Sequence, residues 1–460
     1  MNQRLPILLL PVLLAACTLG PDYQTPDNPT PQAWRNPPAQ PADLSPSQDW
    51  WQGFGSTQLD AYIADARRAN TDLAAAEARI READAQARIA GAPLLPSLSL
   101  GANAIHERQP SAATGKMATS TAYEPGLTAS YEVDFWGKNA ATARAAEATA
   151  LASRYDQVTV SLTVMMSVAN SYFRTLELHD RLKVAEDNLA SARTTLDGLQ
   201  RQRQAGLVTA LDVAQQETVV ATLDAAVPGL REQYEQALDA LAILLGRTPD
   251  QIERIDETLD GLSHPDVGPG LPSTLLTRRP DVAEAEAQLI SANANIQAAR
   301  AAFYPSIDLT AEGGFVSAAL STALKPSNAV FTLTAGLTQP IFNNGLLEGQ
   351  FDYTQARYDE LLATYRKTVL SAFGNVEDSL VAVQQTTDQE KRQAQAVATA
   401  QRAYDFARAQ MKAGTITILT VLNTETSLFS AQDALVQAKS ARLQALVNLF
   451  GALGGGWQKA

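Results

Sequence analysis

Ser97-Leu98-Ser99-Leu100-Gly101-Ala102-Asn103-Ala104 sets Leu98, Leu100, Ala102 and Ala104 against small or polar neighbours at every other position. The pattern returns with Leu127, Ala129, Tyr131 and Val133 against Thr128, Ser130, Glu132 and Asp134. A second pair of runs follows 200 residues later. Ile307, Leu309, Ala311 and Phe315 alternate with Asp308, Thr310 and Glu312, and Phe331, Leu333, Ala335 and Leu337 with Thr332, Thr334 and Thr338. A period of two predicts strands with one apolar face and one polar, partly acidic face. Antiparallel sheets of soluble proteins alternate this way too. These runs, however, reach roughly 10–12 residues, the length that crosses a bilayer at a tilt. Phe135, Trp136, Phe303, Tyr304 and Phe342 fall where strands meet helices, the placing of one aromatic girdle; a core cluster at a sheet edge is the alternative. Four strands cannot close a barrel, and an open edge in lipid leaves backbone groups unsatisfied at several kcal/mol each. The strands therefore predict an oligomer.

Around the strands the period changes. Roughly Thr57–Ala90 is Ala-rich and free of proline, hence helical, and Pro93 and Pro96 end it. Lys138 to Gln204 contains no proline and only Gly198 as a weak point, a helix of about 100 Å. Leu346 to Ala413 offers a second such run. Seven-residue spacing links Leu182, Leu189 and Leu196, then Val227, Tyr234 and Leu241, then Leu362, Val369 and Val376. The last helix carries Leu422, Phe429, Val436, Leu443 and Phe450. Sustained heptads predict coiled-coil packing. The short helices over 57–90 and 209–246 together match one long helix and can stack end to end beside it.

The body is a duplication. Leu95-Pro96-Ser97-Leu98-Ser99-Leu100 recurs as Tyr304-Pro305-Ser306-Ile307-Asp308-Leu309, and Leu211-Asp212-Val213 as Leu419-Thr420-Val421. Ala240-Leu241-Ala242-Ile243-Leu244-Leu245-Gly246 likewise matches Ala445-Leu446-Val447-Asn448-Leu449-Phe450-Gly451. The ordered, near-constant offsets predict two repeats over 53–250 and 275–451, a connector over 251–274 and a tail over 452–460. Each repeat reads helix, strand pair, long helix, helix.

Ahead of the body, Arg4 precedes an apolar run of about ten residues that closes on Leu14-Ala15-Ala16-Cys17, a secretory signal over 1–16. Its end resembles a bacterial lipobox, and Cys17, the chain's only cysteine, stands where lipidation needs it. Eight of the 23 prolines lie between Pro21 and Pro46, which predicts an extended tether over 17–52.

Composition removes other classes. The formal net charge of −13 argues against a nucleic-acid partner, which requires a basic face. One cysteine and scattered His106, His179 and His264 exclude a thiolate zinc site, a disulfide framework and an iron–sulfur cluster. Neither a nucleophile elbow nor a phosphate loop occurs, so no enzyme and no cofactor is expected. Asn343-Asn344-Gly345 and Gly313-Gly314 read as strand-end turns. A lipid-anchored coiled-coil scaffold would explain heptads and lipid but not two bilayer-length hairpins.

Cys17-Thr18-Leu19-Gly20-Pro21-Asp22-Tyr23, Thr277-Arg278-Arg279-Pro280-Asp281-Val282 and the repeated glycine turns resemble the outer-membrane factor family. These are the TolC/OprM-like, NodT-type lipoprotein exit ducts of tripartite efflux systems. The resemblance implies a mainly α fold with a membrane β-barrel. In it a trimeric 12-stranded outer-membrane barrel, four strands per chain, continues into a long periplasmic α-helical coiled-coil barrel. It also implies a homotrimer, outer-membrane lipid at Cys17, a periplasmic membrane-fusion adaptor and an inner-membrane transporter as partners. Adaptor docking then falls to the helix-turn-helix tips at Gly206, Leu207 and Val208 and at Gly414, Thr415 and Ile416; the alternative is that these side chains only staple the turns. The aperture behind them falls to Asp212, Thr420 and Asn423. Thr420 and Asn423 are uncharged where the family often has carboxylates, and Asp212 either supplies charge or caps its helix. An iris-like shift of helix pairs would open the tips. An RND-type pump exporting drugs or other small amphiphiles is the cargo reading the resemblance implies, and metal-ion efflux and type I protein secretion compete with it. Five methionines, paired only at Met165-Met166, offer no thioether ladder for copper or silver.

Overall fold

A computed structural model describes residues 23–37, 46–110 and 115–459. The signal sequence and Cys17 lie outside the described residues. The helices are α1 (Thr57–Ala69), α2 (Thr71–Gly91), α3 (Lys138–Gln204), α4 (Ala210–Leu244), α5 (Pro272–Leu275), α6 (Pro280–Ala301), α7 (Leu346–Lys412) and α8 (Ile418–Ala452). The strands are β1 (Ser97–Pro110), β2 (Met117–Glu132), β3 (Ser306–Phe315) and β4 (Ala329–Thr338). Among the described residues no helix is long and apolar enough to cross a membrane.

The chain divides into two compact units. One centres on Arg79–Arg154 and Glu284–Arg366 and carries the sheet. Its strands run in the order β1-β2-β3-β4, each pair antiparallel. Both long helices leave the sheet through matching caps. Asp134 accepts the backbone N–H groups of Asn139 at 2.9 Å and Ala140 at 2.7 Å, and Asn343 accepts that of Leu346 at 3.1 Å. Gly313-Gly314 is not a turn. Both residues lie inside β3, where a Cβ on Gly314 would stand 2.5 Å from the Pro125 carbonyl oxygen. Close approach of the two hairpins, not chain reversal, is what requires glycine there.

The other unit centres on Asn28–Ala78, Tyr155–Ala283 and Lys367–Ala460. Its main core gathers Trp50, Phe54, Ile63, Tyr172, Phe173, Leu241 and Phe450. Trp50 stacks on Phe450 with ring centroids 5.2 Å apart. The heptad positions Leu422, Phe429, Val436, Leu443 and Phe450 are all buried, as are Val227, Tyr234 and Leu241. The helix expected over 57–90 is two helices. Asn70 takes an extended conformation (φ −65°, ψ 131°), and its Oδ1 caps α2 through the N–H groups of Asp72 and Leu73. A side chain that competes with the helical ladder breaks a run that propensity alone would carry through.

The described part of the proline-rich segment, residues 23–37, forms neither helix nor strand, and it is pinned. The Trp34 indole donates to the Gly270 carbonyl at 2.8 Å, and Glu377 accepts from the Arg35 N–H at 2.6 Å and the Asn36 amide at 3.2 Å. In the sheet-bearing unit, Thr25 donates to Glu286 at 2.8 Å.

Candidate functional site

The sheet is built from the register. Leu98 faces Ala129, Leu100 faces Leu127, Ala129 faces Ala311, Tyr131 faces Leu309, Ala311 faces Leu333 and Ile307 faces Leu337. Alternation therefore puts every apolar set on one face. Leu100 is 78% exposed and Phe331 82%, so among the described residues no layer covers that face. The opposite face pairs Asn103 with Glu124, Thr128 with Glu312, Glu132 with Asp308 and Glu312 with Thr332. A bare apolar face of this size contradicts life in water and fits lipid. Among the described residues the outer edges of β1 and β4 have no partner strand.

Aromatic side chains gather where sheet gives way to helix. Phe135 and Trp136 meet at 4.8 Å and Trp136 and Tyr304 at 4.7 Å between centroids, and the Trp136 indole donates to the Pro305 carbonyl at 2.9 Å. Phe303 packs on Phe351, whereas Phe342 stands free of the cluster and largely exposed. Rings with a bonded polar tip suit a membrane–water boundary.

The tips are two copies of one turn. After α3, the N–H of Gly206 bonds to the Arg203 carbonyl and that of Leu207 to the Gln202 carbonyl, both at 2.9 Å. After α7, Gly414 reaches Met411 and Thr415 reaches Gln410, both at 3.0 Å. Gly206 (φ 76°) and Gly414 (φ 71°) hold the left-handed position that this motif needs. Leu207 is 75% exposed and Thr415 is exposed with it. Val208 and Ile416 instead pack against a cluster of Leu199, Val213, Tyr404, Val421, Leu422 and Phe429. The turn residues thus separate into staples and a free apolar tip.

The two turns are capped differently. Asp212 Oδ2 accepts the Thr209 N–H at 2.7 Å, and Thr209 Oγ1 accepts the Asp212 N–H at 3.2 Å, a closed capping box. Thr417, its counterpart, makes no side-chain cap. Thr420 and Asn423 are exposed on α8. Sequence reading passed over Leu211 and Leu419, an equivalent pair left exposed just past the turns. It also passed over buried Gln216 and Glu425, whose signal was a polar residue at core spacing, three positions after buried Val213 and Leu422.

A four-stranded sheet with one bare apolar face, carried by very long paired helices, defines an outer-membrane channel rather than an enzyme. The chain belongs to the outer membrane efflux protein family, whose profile matches residues 62–247 and again 271–455. The chain is 42% identical to the pyoverdine export outer membrane protein OpmQ of Pseudomonas aeruginosa, over 99% of this chain and 97% of that one. It is 34% identical to the toluene efflux pump outer membrane protein TtgC of Pseudomonas putida, over 97% and 94%. Among solved structures it resembles the open state of the Neisseria gonorrhoeae MtrE outer membrane channel, with a TM-score of 0.86 and 29% identity over 96% and 99%. The protein is accordingly an outer-membrane efflux channel.

Proposed function

We propose that the chain is the exit duct of a tripartite pump. Three copies close a 12-stranded barrel, and a periplasmic adaptor and an inner-membrane transporter deliver cargo to the helix tips. The observation that carries this reading is the sheet: two open edges and a bare apolar face are untenable in lipid unless further copies complete the ring. The acidic face then lines the lumen, with Glu124, Glu132, Asp308 and Glu312 from each copy.

Cys17 carries the lipid, and the pinned segment at Trp34 and Glu377 holds the anchored chain against the body. At the tips, Leu207 and Thr415 meet the adaptor, while Val208 and Ile416 hold the turns that present them. Asp212, bound in its capping box, shapes the first tip rather than lending a free charge. With Thr420 and Asn423 uncharged, closure rests on packing and hydrogen bonds, and an iris-like movement of hairpins opens it.

For cargo, the greater identity to the pyoverdine export protein favours a small secreted metabolite over drugs, solvents or cations. Deleting the gene tests this. Retention of a siderophore-type product with unchanged dye accumulation supports the metabolite reading. Raised dye and drug accumulation alone moves the cargo to amphiphilic toxicants.

A further inference from the structure

The strands sort their charge by face. Glu107, Glu124, Glu132, Asp308 and Glu312 are the carboxylates of β1–β4, and the register puts all five on the polar face. Arg108 is the only arginine or lysine in the four strands. It lies on the other face with His106, in line with Leu98, Leu100, Ala102 and Ala104. Between β1 and β2, and between β3 and β4, the chain adds Lys116 and Lys325 and no acid. In a chain of net charge −13, the apolar face therefore ends in a cation without a counter-charge.

Height fixes what these groups meet. The β2–β3 ladder stops at Gly126 opposite Gly314, apart from a bridge between Tyr123 and Ser317, whereas β1 and β2 stay paired out to Pro110 and Met117. On the apolar face of β2, the step from Tyr131 to Tyr123 covers about 27 Å along the strand, which at a barrel's tilt spans most of an apolar band of about 25 Å. Ala104 faces Tyr123, and beyond that level His106 faces Thr121 and Arg108 faces Thr119. Arg108 is thus about 13 Å further along the strand, at the depth of lipid headgroups.

The groups gathered there are donors. His106 Nδ1 and Thr121 Oγ1 stand 2.9 Å apart, and whichever of them donates, the pair keeps one proton free. His106, Arg108 and Thr119 are exposed. Glu107, the acid next in sequence, is engaged on the polar side, where its Oε1 accepts from Gln109 Nε2 at 2.9 Å and Ser120 Oγ at 3.4 Å.

We infer that Arg108, His106, Thr119 and Thr121 form a docking surface for the phosphate of an anionic outer-leaflet glycolipid, whose acyl chains lie along Leu98, Leu100 and Leu127. The inference rests on the duct reading, which turns this face to lipid and its far end outward. Guanidinium and hydroxyl donors match a phosphate monoester. With no carboxylate on that face, a zwitterionic headgroup finds nothing for its ammonium. The donors also continue a bare apolar surface, so a phosphate joined to hydrocarbon satisfies both parts, whereas a free anion satisfies one.

Native mass spectrometry of the intact particle in detergent tests this, with bisphosphorylated lipid A, dephosphorylated lipid A or phosphatidylcholine added. The wild type should retain lipid A and shed the other two. Arg108→Gln combined with His106→Gln should weaken that retention about tenfold, the loss of one charge-assisted hydrogen bond. Glu107→Gln, on the other face, should not weaken it. Equal retention of the dephosphorylated lipid, or an unchanged double variant, overturns the contact. Displacement of lipid A by millimolar inorganic phosphate also overturns it, because the site would then be one for a free anion. If the double variant fails to assemble, the comparison of phosphorylated with dephosphorylated lipid on the wild type decides. The same spectra count chains. A single chain that retains lipid A would overturn the ring and leave the contact standing, and a trimer that retains none would overturn the contact and leave the ring.

Discussion

Asn70 Nδ2 donates to the Leu244 carbonyl at 2.8 Å, and Arg279 Nη1 donates to the Ala452 carbonyl at 3.0 Å in the equivalent place of the second repeat. Each bond ties the start of one short helix to the end of another, α2 to α4 and α6 to α8. Glycine makes room for both contacts. A Cβ on Gly246 would stand 2.2 Å from the Ala69 carbonyl oxygen, and one on Gly454 1.9 Å from that of Arg278. The end-to-end splice is thus one solution used twice with different side chains.

Asn70→Ala should cost about 1–2 kcal/mol, because it removes both the α2 cap and the donor to Leu244. Gly246→Ala should cost more, since it adds a left-handed alanine to a backbone clash. Thermal midpoints of the purified protein in detergent rank the two.

The capping asymmetry predicts unequal tips. Asp212→Ala should release about 1 kcal/mol of local stability and quicken amide exchange over 205–215, whereas Thr417→Ala should leave the second tip nearly unchanged. Hydrogen exchange read by mass spectrometry separates these outcomes.

Stability should depend on pH through Glu425. Its pKa is raised in the folded state, so the folded chain binds that proton more tightly than the unfolded one. The contribution is whole below the unfolded carboxyl pKa and is lost as pH rises toward and through the folded value. Tyr404→Phe should weaken the packed cluster at every pH, whereas Glu425→Gln should flatten the pH profile; melts across pH measure both.

Glu124→Gln and Glu312→Gln should each reduce preference for cations. Both lie on the polar face of the sheet, and every substitution is repeated in each copy around the ring. Reversal potentials in a salt gradient give the sign.

Much of this was legible in the residues. Alternation at Leu98–Ala104 and Phe331–Leu337 marks the strands, because only one face of a membrane sheet meets lipid and the code is a strict period of two. Heptads at Leu422–Phe450 mark the packed seam of α8. The break at Asn70 is a local cap that helix propensity passes over, and the Leu244 carbonyl that takes its amide lies 174 residues away, where no pattern points to it. Gly313-Gly314 misled because the pressure for glycine falls on Gly314 alone and comes from Pro125 and Gly126 on the neighbouring strand. At the tips, Gly206 and Gly414 announced the turns. The division between exposed Leu207 and packed Val208 depends on which way each side chain leaves the turn, which periodicity does not encode.

The mass of the intact particle extracted from outer membranes, measured beside a Cys17→Ala variant, tests the ring most directly. Native mass spectrometry should return three chains, each with a lipid mass that the variant lacks. A particle of one chain, its apolar strands covered by detergent alone, would contradict the shared barrel and leave the open edges of β1 and β4 without their explanation.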